Sequence, residues 1–331
     1  MRHEARLLLT ALALAGLTAG ATAQQRTPQP KPPQATPAPA PEAAAPAPDA
    51  NADLAFGAYQ RGFYLTAFRE ASRLAEQNDT DAMTLLGELY AQGLGVGQDD
   101  AKAAEWYKRA AANGDRDAMF ALAMFSLQGR AGPRNSDEAA RQMAAAAKLG
   151  HPEAAYNLGL LYLQGQQFPQ DFARAAELFR AAATAGNPEA QYALGTLYKE
   201  GRGVPKDVAE AAALMERAAI AGNIDAMVEF ALARFNGTGV AKDESAAAQM
   251  FLRAARLGSP IAQNRLARIL MAGRGMPADA GESVKWHYIA RAAGAGDPQL
   301  EAFASQQSQE VRDAAEAAAQ KWRSTAEALR P

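Results

Sequence analysis

Residues 188–222 read PEAQYALGTLYKEGRGVPKDVAEAAALMERAAIAG, and this stretch decides the fold of the chain. It predicts two short helices joined by a glycine-rich loop. The same pattern recurs every 36 residues, for example from Gly165 to Gly201 (201 minus 165). A fixed repeat of this length is typical of a solenoid, in which each unit buries its apolar side only against its neighbours. The anchoring positions are glycines at 93, 129, 165, 201, 237 and 273 and alanines at 82, 118, 154, 190, 226 and 262.

The repeats define the predicted domain organisation. An incomplete unit covers residues 53–78, and six full repeats begin near residues 80, 116, 152, 188, 224 and 260. Together they form a predicted solenoid over residues 51–297. The divergent segment 298–331 is predicted to form C-terminal capping helices, because an open solenoid end needs a polar outer face. The predicted fold is therefore all-α, an α-solenoid of stacked antiparallel helix pairs.

Short polar residues stand just before each predicted helix, where a side-chain oxygen accepts the free N–H groups of the first turn. His151 takes this place in one repeat. No second histidine or carboxylate cluster accompanies it, so it is predicted to be a solvent-facing cap rather than a ligand or a pH sensor. Helix capping also explains the regular acidic positions without a calcium site. The caps are Asp79, Asp115, Asn187, Asn223, Ser259 and Asp297 for the first helices and Asp99, Asn135, Asp171, Asp207 and Asp243 for the second.

The middle of each first helix carries a glycine or an alanine, as at Gly195. Glycine inside a helix costs roughly 1 kcal/mol relative to alanine. Its presence predicts that a neighbouring helix passes too close for a larger side chain, so that Gly195→Leu would force apart adjacent repeats. In the sixth repeat the loop around residues 276–281 is interpreted as two residues longer, which places the glycine that closes the second helix at Gly296.

The N-terminal 23 residues have the pattern of an export signal. Arg2 and Arg6 supply positive charge, an apolar run follows, and cleavage is expected after Ala23. Residues 24–50 alternate proline and alanine and are predicted to be a disordered linker. A periplasmic or secreted protein is therefore expected. The alternative is anchorage through an uncleaved N-terminus, which would be the chain's one membrane contact.

Composition excludes several functional classes. The chain has 34 Lys and Arg, 36 Asp and Glu and no cysteine, so neither a nucleic-acid-binding surface nor disulfide chemistry is expected. The glycine-rich loop lacks the lysine and serine of a phosphate-binding loop. Catalysis needs convergent acid, base, nucleophile or metal-binding groups, and no motif supplies them. The chain is thus predicted to be no enzyme, with no metal site and no cofactor.

The pattern Ala190, Leu194, Gly195, Tyr198 and Gly201, continued by Gly203-Val204, Asp207 and Ala211-Ala212, resembles the Sel1-like repeat family, relatives of tetratricopeptide repeats. The resemblance covers about residues 53–330, although Ala231 and Arg234 depart from it. It implies a right-handed superhelix whose first helices line a concave groove. Members serve as adaptors in protein complexes, including exported bacterial proteins of signalling or envelope assembly.

The resemblance therefore implies a non-catalytic scaffold that binds a protein or peptide segment in the groove. An alternative is a peptidoglycan- or β-lactam-binding or hydrolysing envelope protein, as for some cysteine-rich members. Those members carry a disulfide in each repeat, and this chain has no cysteine.

Residues that vary on the first helices are predicted to contact the partner. Asn157 has an amide that can bond to a peptide backbone, and Arg265 and Arg268 have the geometry to bind a carboxylate. The aromatic members allow a second interpretation, in which they pack between repeats. The candidate residues are Phe120, Tyr156, Asn157, Leu160, Tyr192, Glu229, Asn264, Arg265 and Arg268.

Overall fold

A computed structural model describes residues 52–165 and 168–328. The predicted signal, residues 1–23, the predicted linker, residues 24–50, and the last three residues lie outside this described part. Within it the chain forms sixteen α-helices and no β-strand. They are α1 (Ala52–Gln60), α2 (Tyr64–Ala75), α3 (Thr80–Gln92), α4 (Asp100–Ala112), α5 (Arg116–Gln128), α6 (Ser136–Lys148), α7 (Pro152–Gln164), α8 (Phe172–Thr184), α9 (Pro188–Glu200), α10 (Val208–Ile220), α11 (Ile224–Asn236), α12 (Glu244–Arg256), α13 (Pro260–Ala272), α14 (Ala280–Ala292), α15 (Pro298–Ser305) and α16 (Gln309–Ala328).

Helices adjacent in sequence are adjacent in space. Each pair from α3/α4 to α13/α14 is one repeat, and each second helix also packs against the first helix of the following repeat. Buried alanines make this close stacking possible, because helix axes approach closely where side chains are small. Ala190 and Ala226 on first helices, like Ala182 and Ala218 on second helices, are completely buried. The prediction of an all-α solenoid is therefore confirmed.

The predicted caps are present. In α3, for example, the Asp79 side chain accepts a hydrogen bond of 2.8 Å from the Ala82 N–H, and Gly93 ends the helix in the left-handed conformation at φ 71°. This pairing satisfies free N–H groups at one end and carbonyls at the other. A side-chain acceptor likewise caps the N-terminus of the helix at each of the other predicted caps.

The predicted insertion in the sixth repeat was wrongly placed. Asp279 caps α14, although it was not among the predicted caps. It follows Asp243 by the regular 36 residues (279 minus 243). The glycine beyond the helix end with a positive φ, 83°, is Gly294 and not Gly296. The two extra residues therefore lie between α14 and α15, before Asp297. The loop before α14 has the regular length, and its unusual composition led to the wrong prediction of an insertion there.

Loop glycines hold consecutive repeats together. Gly203, Gly239 and Gly275 have φ values of 70°, 72° and 76°. A Cβ added at any of them would overlap the backbone at the start of the second helix in the preceding repeat, at Phe172, Val208 and Glu244 respectively. The loop backbone thus lies directly on that helix start. In the second repeat the equivalent residue is an alanine, Ala131, held at φ 58°.

The mid-helix glycines mark the close approach of a neighbouring helix, as predicted, but that helix belongs to the same repeat and not to an adjacent one. A Cβ on Gly159 would lie 2.6 Å from the ring of Phe179, and a Cβ on Gly195 3.3 Å from the Ala211 carbonyl oxygen. Both contacts are with the second helix of the same repeat. The prediction of an adjacent repeat was wrong because the sequence does not show which neighbour lies over this position.

At the C-terminal end, α16 packs against α14. Ala315 and Ala319 are buried there, and the rings of Trp286 and Trp322 meet edge to face at 5.8 Å. The other side of α16 is exposed and charged, so this helix covers the apolar surface that α14 would otherwise present to water.

Candidate functional site

One side of each first helix carries side chains that vary from repeat to repeat. Residues two, three, six, nine and ten positions after the shared alanine lie on this side, because these spacings fall within one half of the helical circumference. We call the surface that these positions form the first-helix face. All nine residues predicted to contact a partner lie on it.

The aromatic candidates are half-buried, and Phe120 and Tyr192 pack across repeats as the second interpretation predicted. The ring of Phe120 lies 4.5 Å from that of His151, which caps the first helix of the next repeat, whereas the Tyr156 ring lies 5.7 Å from Phe179 in the second helix of its own repeat. Tyr192 packs against the buried cluster of the following repeats. Leu160 is 9% exposed and belongs to the core. These side chains therefore form a half-buried apolar stripe along the face, not isolated anchors.

His151 caps α7 as predicted, but it does not face solvent. Its Nδ1 accepts a hydrogen bond of 3.2 Å from the Ala154 N–H, and the residue is 7% exposed. Burial lowers the pKa of His151, and the nearby carboxylates of Asp117 and Glu153 offset that effect only in part. The ring of Phe120 supplies much of this cover, which the periodic pattern did not show.

Replacing His151 with asparagine is expected to flatten the dependence of stability on pH. The neutral ring contributes its full stabilisation above the ordinary pKa of 6.5, and this contribution is lost as pH falls through the lower folded-state pKa. Asparagine caps equivalent helices at Asn187 and Asn223 and does not titrate. Urea unfolding at pH 7 and pH 5 checks this: wild type should lose more free energy of unfolding than His151→Asn over that interval. Equal losses in the two proteins would contradict it.

Several polar candidates are already bonded within the chain. Asn157 donates to the carbonyl oxygen of Glu153 at 2.7 Å, and Glu229 forms an ion pair of 2.7 Å with Lys199. Arg268 donates from Nε to the Asp297 carboxylate at 2.6 Å. Arg268 therefore binds a carboxylate, as its side chain allows, but the carboxylate belongs to the chain itself.

Asp297 connects α13 to α15. It caps α15, and it accepts hydrogen bonds from Asn264, at 3.2 Å, as well as from Arg268. Burial alone would raise the pKa of this carboxyl, but the hydrogen bonds from Arg268, Asn264 and the α15 backbone outweigh it and hold the pKa below its ordinary value. Asp297 therefore stays ionised and fixes the side chains that border the C-terminal part of the face.

Between α11 and α13 the first-helix face deepens into a groove of about 430 Å³. Its walls are apolar, from Leu232 and Phe235 on α11 and Met271 on α13. Phe235 and Met271 were missed in the sequence, although both stand nine residues after the shared alanine (235 minus 226 and 271 minus 262). Extending the candidate stripe by one more turn would have found them. We call this depression the α11–α13 groove; its lining also includes Asn236, Arg265, Arg268, Arg274 and Gln299.

The three arginines of the groove differ in their partners. Arg268 is paired with Asp297. Arg274 is paired with Glu244 and lies over the Phe235 ring at 4.4 Å. Arg265 is exposed and, within residues 52–165 and 168–328, has no ion-pair or hydrogen-bond partner. The groove therefore carries one uncompensated positive charge beside its apolar walls.

Within residues 52–165 and 168–328, no cluster of three or more His, Cys, Asp or Glu side chains has a geometry that could hold a metal ion. Among the helices described, none has the length and apolar character needed to cross a membrane.

Comparison with known proteins identifies the repeat. The family model described as Sel1 repeat matches residues 80–115, 116–151, 152–187, 188–223, 225–259 and 260–294. No curated protein sequence matches the chain. Among solved structures, a Sel1 repeat protein from Oxalobacter formigenes is 27% identical with a TM-score of 0.63, over 73% of this chain and 97% of that one.

A second solved structure is a protective antigen of uropathogenic Escherichia coli strains that displays an SLR fold. It is 24% identical with a TM-score of 0.57, over 82% of this chain and 68% of that one, and supports the fold alone. Sel1 repeats generally form surfaces for binding other proteins and do not generally catalyse reactions. With six matched repeats over more than half of its length, this chain belongs to the Sel1 repeat family.

Proposed function

We propose that the chain is a non-catalytic scaffold that holds a segment of a partner protein along its first-helix face. The observation that supports this most is the α11–α13 groove, where partly exposed apolar side chains lie beside an unpaired arginine. Such a surface binds by burying apolar area around a few polar contacts. Its lining residues include no serine, histidine, aspartate or glutamate that could act as a nucleophile or a general base.

The proposed site of action is the cell envelope, either periplasmic or secreted, in a signalling or assembly complex. This part of the proposal rests on the N-terminal sequence, with its positive start, apolar run and small residues before Gln24. The N-terminal sequence of the protein recovered from its native cells tests export. A mature chain that begins at Gln24 is expected, and an intact Met1 would contradict cleavage.

Site-specific photocrosslinking in native cells tests the binding face. Benzoylphenylalanine placed at Asn157, Thr196 or Arg265 on the first-helix face is expected to capture the same partner protein. The matched controls are Arg109, Glu177 and Arg217, which are exposed on second helices. Capture from the second helices alone, or equally from both sides, would contradict binding on the first-helix face.

A further inference from the structure

We propose that the α11–α13 groove takes an acidic partner segment, with a carboxylate on Arg265 and a large apolar side chain between Phe235 and Met271. The inference rests on the proposed scaffold function and specifies the chemistry of the segment bound there.

The charge argument depends on which arginines are already neutralised. Asp297 and Glu244 neutralise Arg268 and Arg274, and the groove lining contains no acidic residue. Arg265 is thus left as a planar donor that matches a carboxylate through two parallel hydrogen bonds. A basic segment would meet an uncompensated like charge instead, so the groove favours acidic segments over basic ones.

The two paired arginines also help to fix the shape of the groove. The ion pair of Arg274 with Glu244 and its contact with the Phe235 ring hold the guanidinium over one wall of the groove. Arg268 is held on the other side by Asp297 and by Gln299, whose side-chain oxygen accepts at 3.2 Å. Both walls are therefore preorganised before a segment arrives, which reduces the entropic cost of binding.

The walls provide the apolar contact. Leu232, Phe235 and Met271 are partly buried and pack against the core cluster beneath them. A volume of about 430 Å³ lies within the range of pockets that enclose small ligands, so it accommodates a large apolar side chain. Methionine adapts its shape to such a group because its side chain is unbranched and flexible.

Selection from a displayed library of random twelve-residue peptides tests this chemistry. The full chain is the target, and Arg265→Glu is the parallel target. Peptides enriched on wild type are expected to carry Asp or Glu together with a large apolar residue. By fluorescence anisotropy they should bind Arg265→Glu at least about tenfold more weakly, a loss of about 1.4 kcal/mol.

The matched control is Arg217→Glu, which makes the same charge change on the exposed side of α10 and should leave affinity within about twofold. A second variant, Phe235→Ala, should also weaken binding, provided that circular dichroism shows the native helix content. Raising the salt concentration should weaken the binding of the acidic peptides, because salt screens the attraction between opposite charges.

Selected peptides without acidic residues, equal affinity for wild type and Arg265→Glu, or no enrichment at all would overturn the acidic-segment inference. These outcomes are separate from the scaffold proposal. If crosslinking from the first-helix face still captures a partner, the scaffold stands and only the ligand chemistry is wrong.

Discussion

Replacing Gly239 with alanine is expected to lower the free energy of unfolding by about 2–5 kcal/mol. An added methyl group would overlap the carbonyl of Val208 at the start of α10. Forcing an atom into a filled site costs about 1–3 kcal/mol, and the left-handed conformation at φ 72° costs a side-chain-bearing residue roughly 1–2 kcal/mol more. The obstacle is backbone and not a flexible side chain, so the loop itself must move.

Gly222→Ala is the matched control. Gly222 also has a positive φ, 97°, but an added Cβ would meet nothing within 4 Å. Only the conformational cost applies there, so a loss of about 1–2 kcal/mol is expected. The difference between the two variants in urea unfolding isolates the contact between repeats. Equal losses would show that this contact contributes little.

Hydrogen exchange should locate the damage in Gly239→Ala. Each repeat of a solenoid contacts only its neighbours, so a weakened junction allows the parts on either side to open separately. Faster exchange is expected in α10 and α11, next to the altered loop, with α3 and α4 unchanged. Uniformly faster exchange along the whole chain would argue against a local junction.

Replacing Phe179 with alanine is expected to cost about 3–5 kcal/mol. The side chain is completely buried, and it fills the space between Gly159, Tyr156 and the neighbouring core residues. Truncation leaves a cavity that the helix backbones cannot fully close. Urea unfolding measures the loss, and Leu178→Ala on the same helix, where the side chain is only partly buried, should cost less.

The repeats themselves supply a compensating pair. Position 159 is a glycine opposite Phe179, whereas the corresponding residues one repeat earlier are Ala123 and Met143. Gly159→Ala alone should be destabilising, because its new methyl group meets the Phe179 ring. Adding Phe179→Met should recover most of that loss, since the smaller, flexible side chain can yield. Strictly additive effects of the two substitutions would refute direct coupling between these positions.

Much of the architecture is readable in the sequence because its signals are local. A cap such as Asp79 acts on N–H groups three residues away, and the closing glycine Gly93 acts on the turn just before it. The shared alanines indicate that two helices pack closely against each other. These interactions repeat with the chain, so six copies of one pattern reinforce a single prediction.

The candidate site was less predictable because its properties depend on residues about 30 positions apart. Arg268 is paired with Asp297, 29 residues later (297 minus 268), and Arg274 with Glu244, 30 residues earlier (274 minus 244). The sequence shows the arginines but not which of them remain unpaired. His151 likewise has the position of an exposed cap, but the ring of Phe120 from the preceding repeat lies against it, and it is buried.

By itself, the sequence determined the period, the helix pairs, their caps and the side of each first helix that carries variable residues, because short-range backbone chemistry sets all of these. The tertiary structure decided which helix lies over each mid-helix glycine, where the extra residues of the sixth repeat lie, and that Arg265 alone among the three groove arginines is free. The physical reason is that these properties arise from contacts between repeats, and a regular period specifies the spacing of such contacts but not the side chains that meet there.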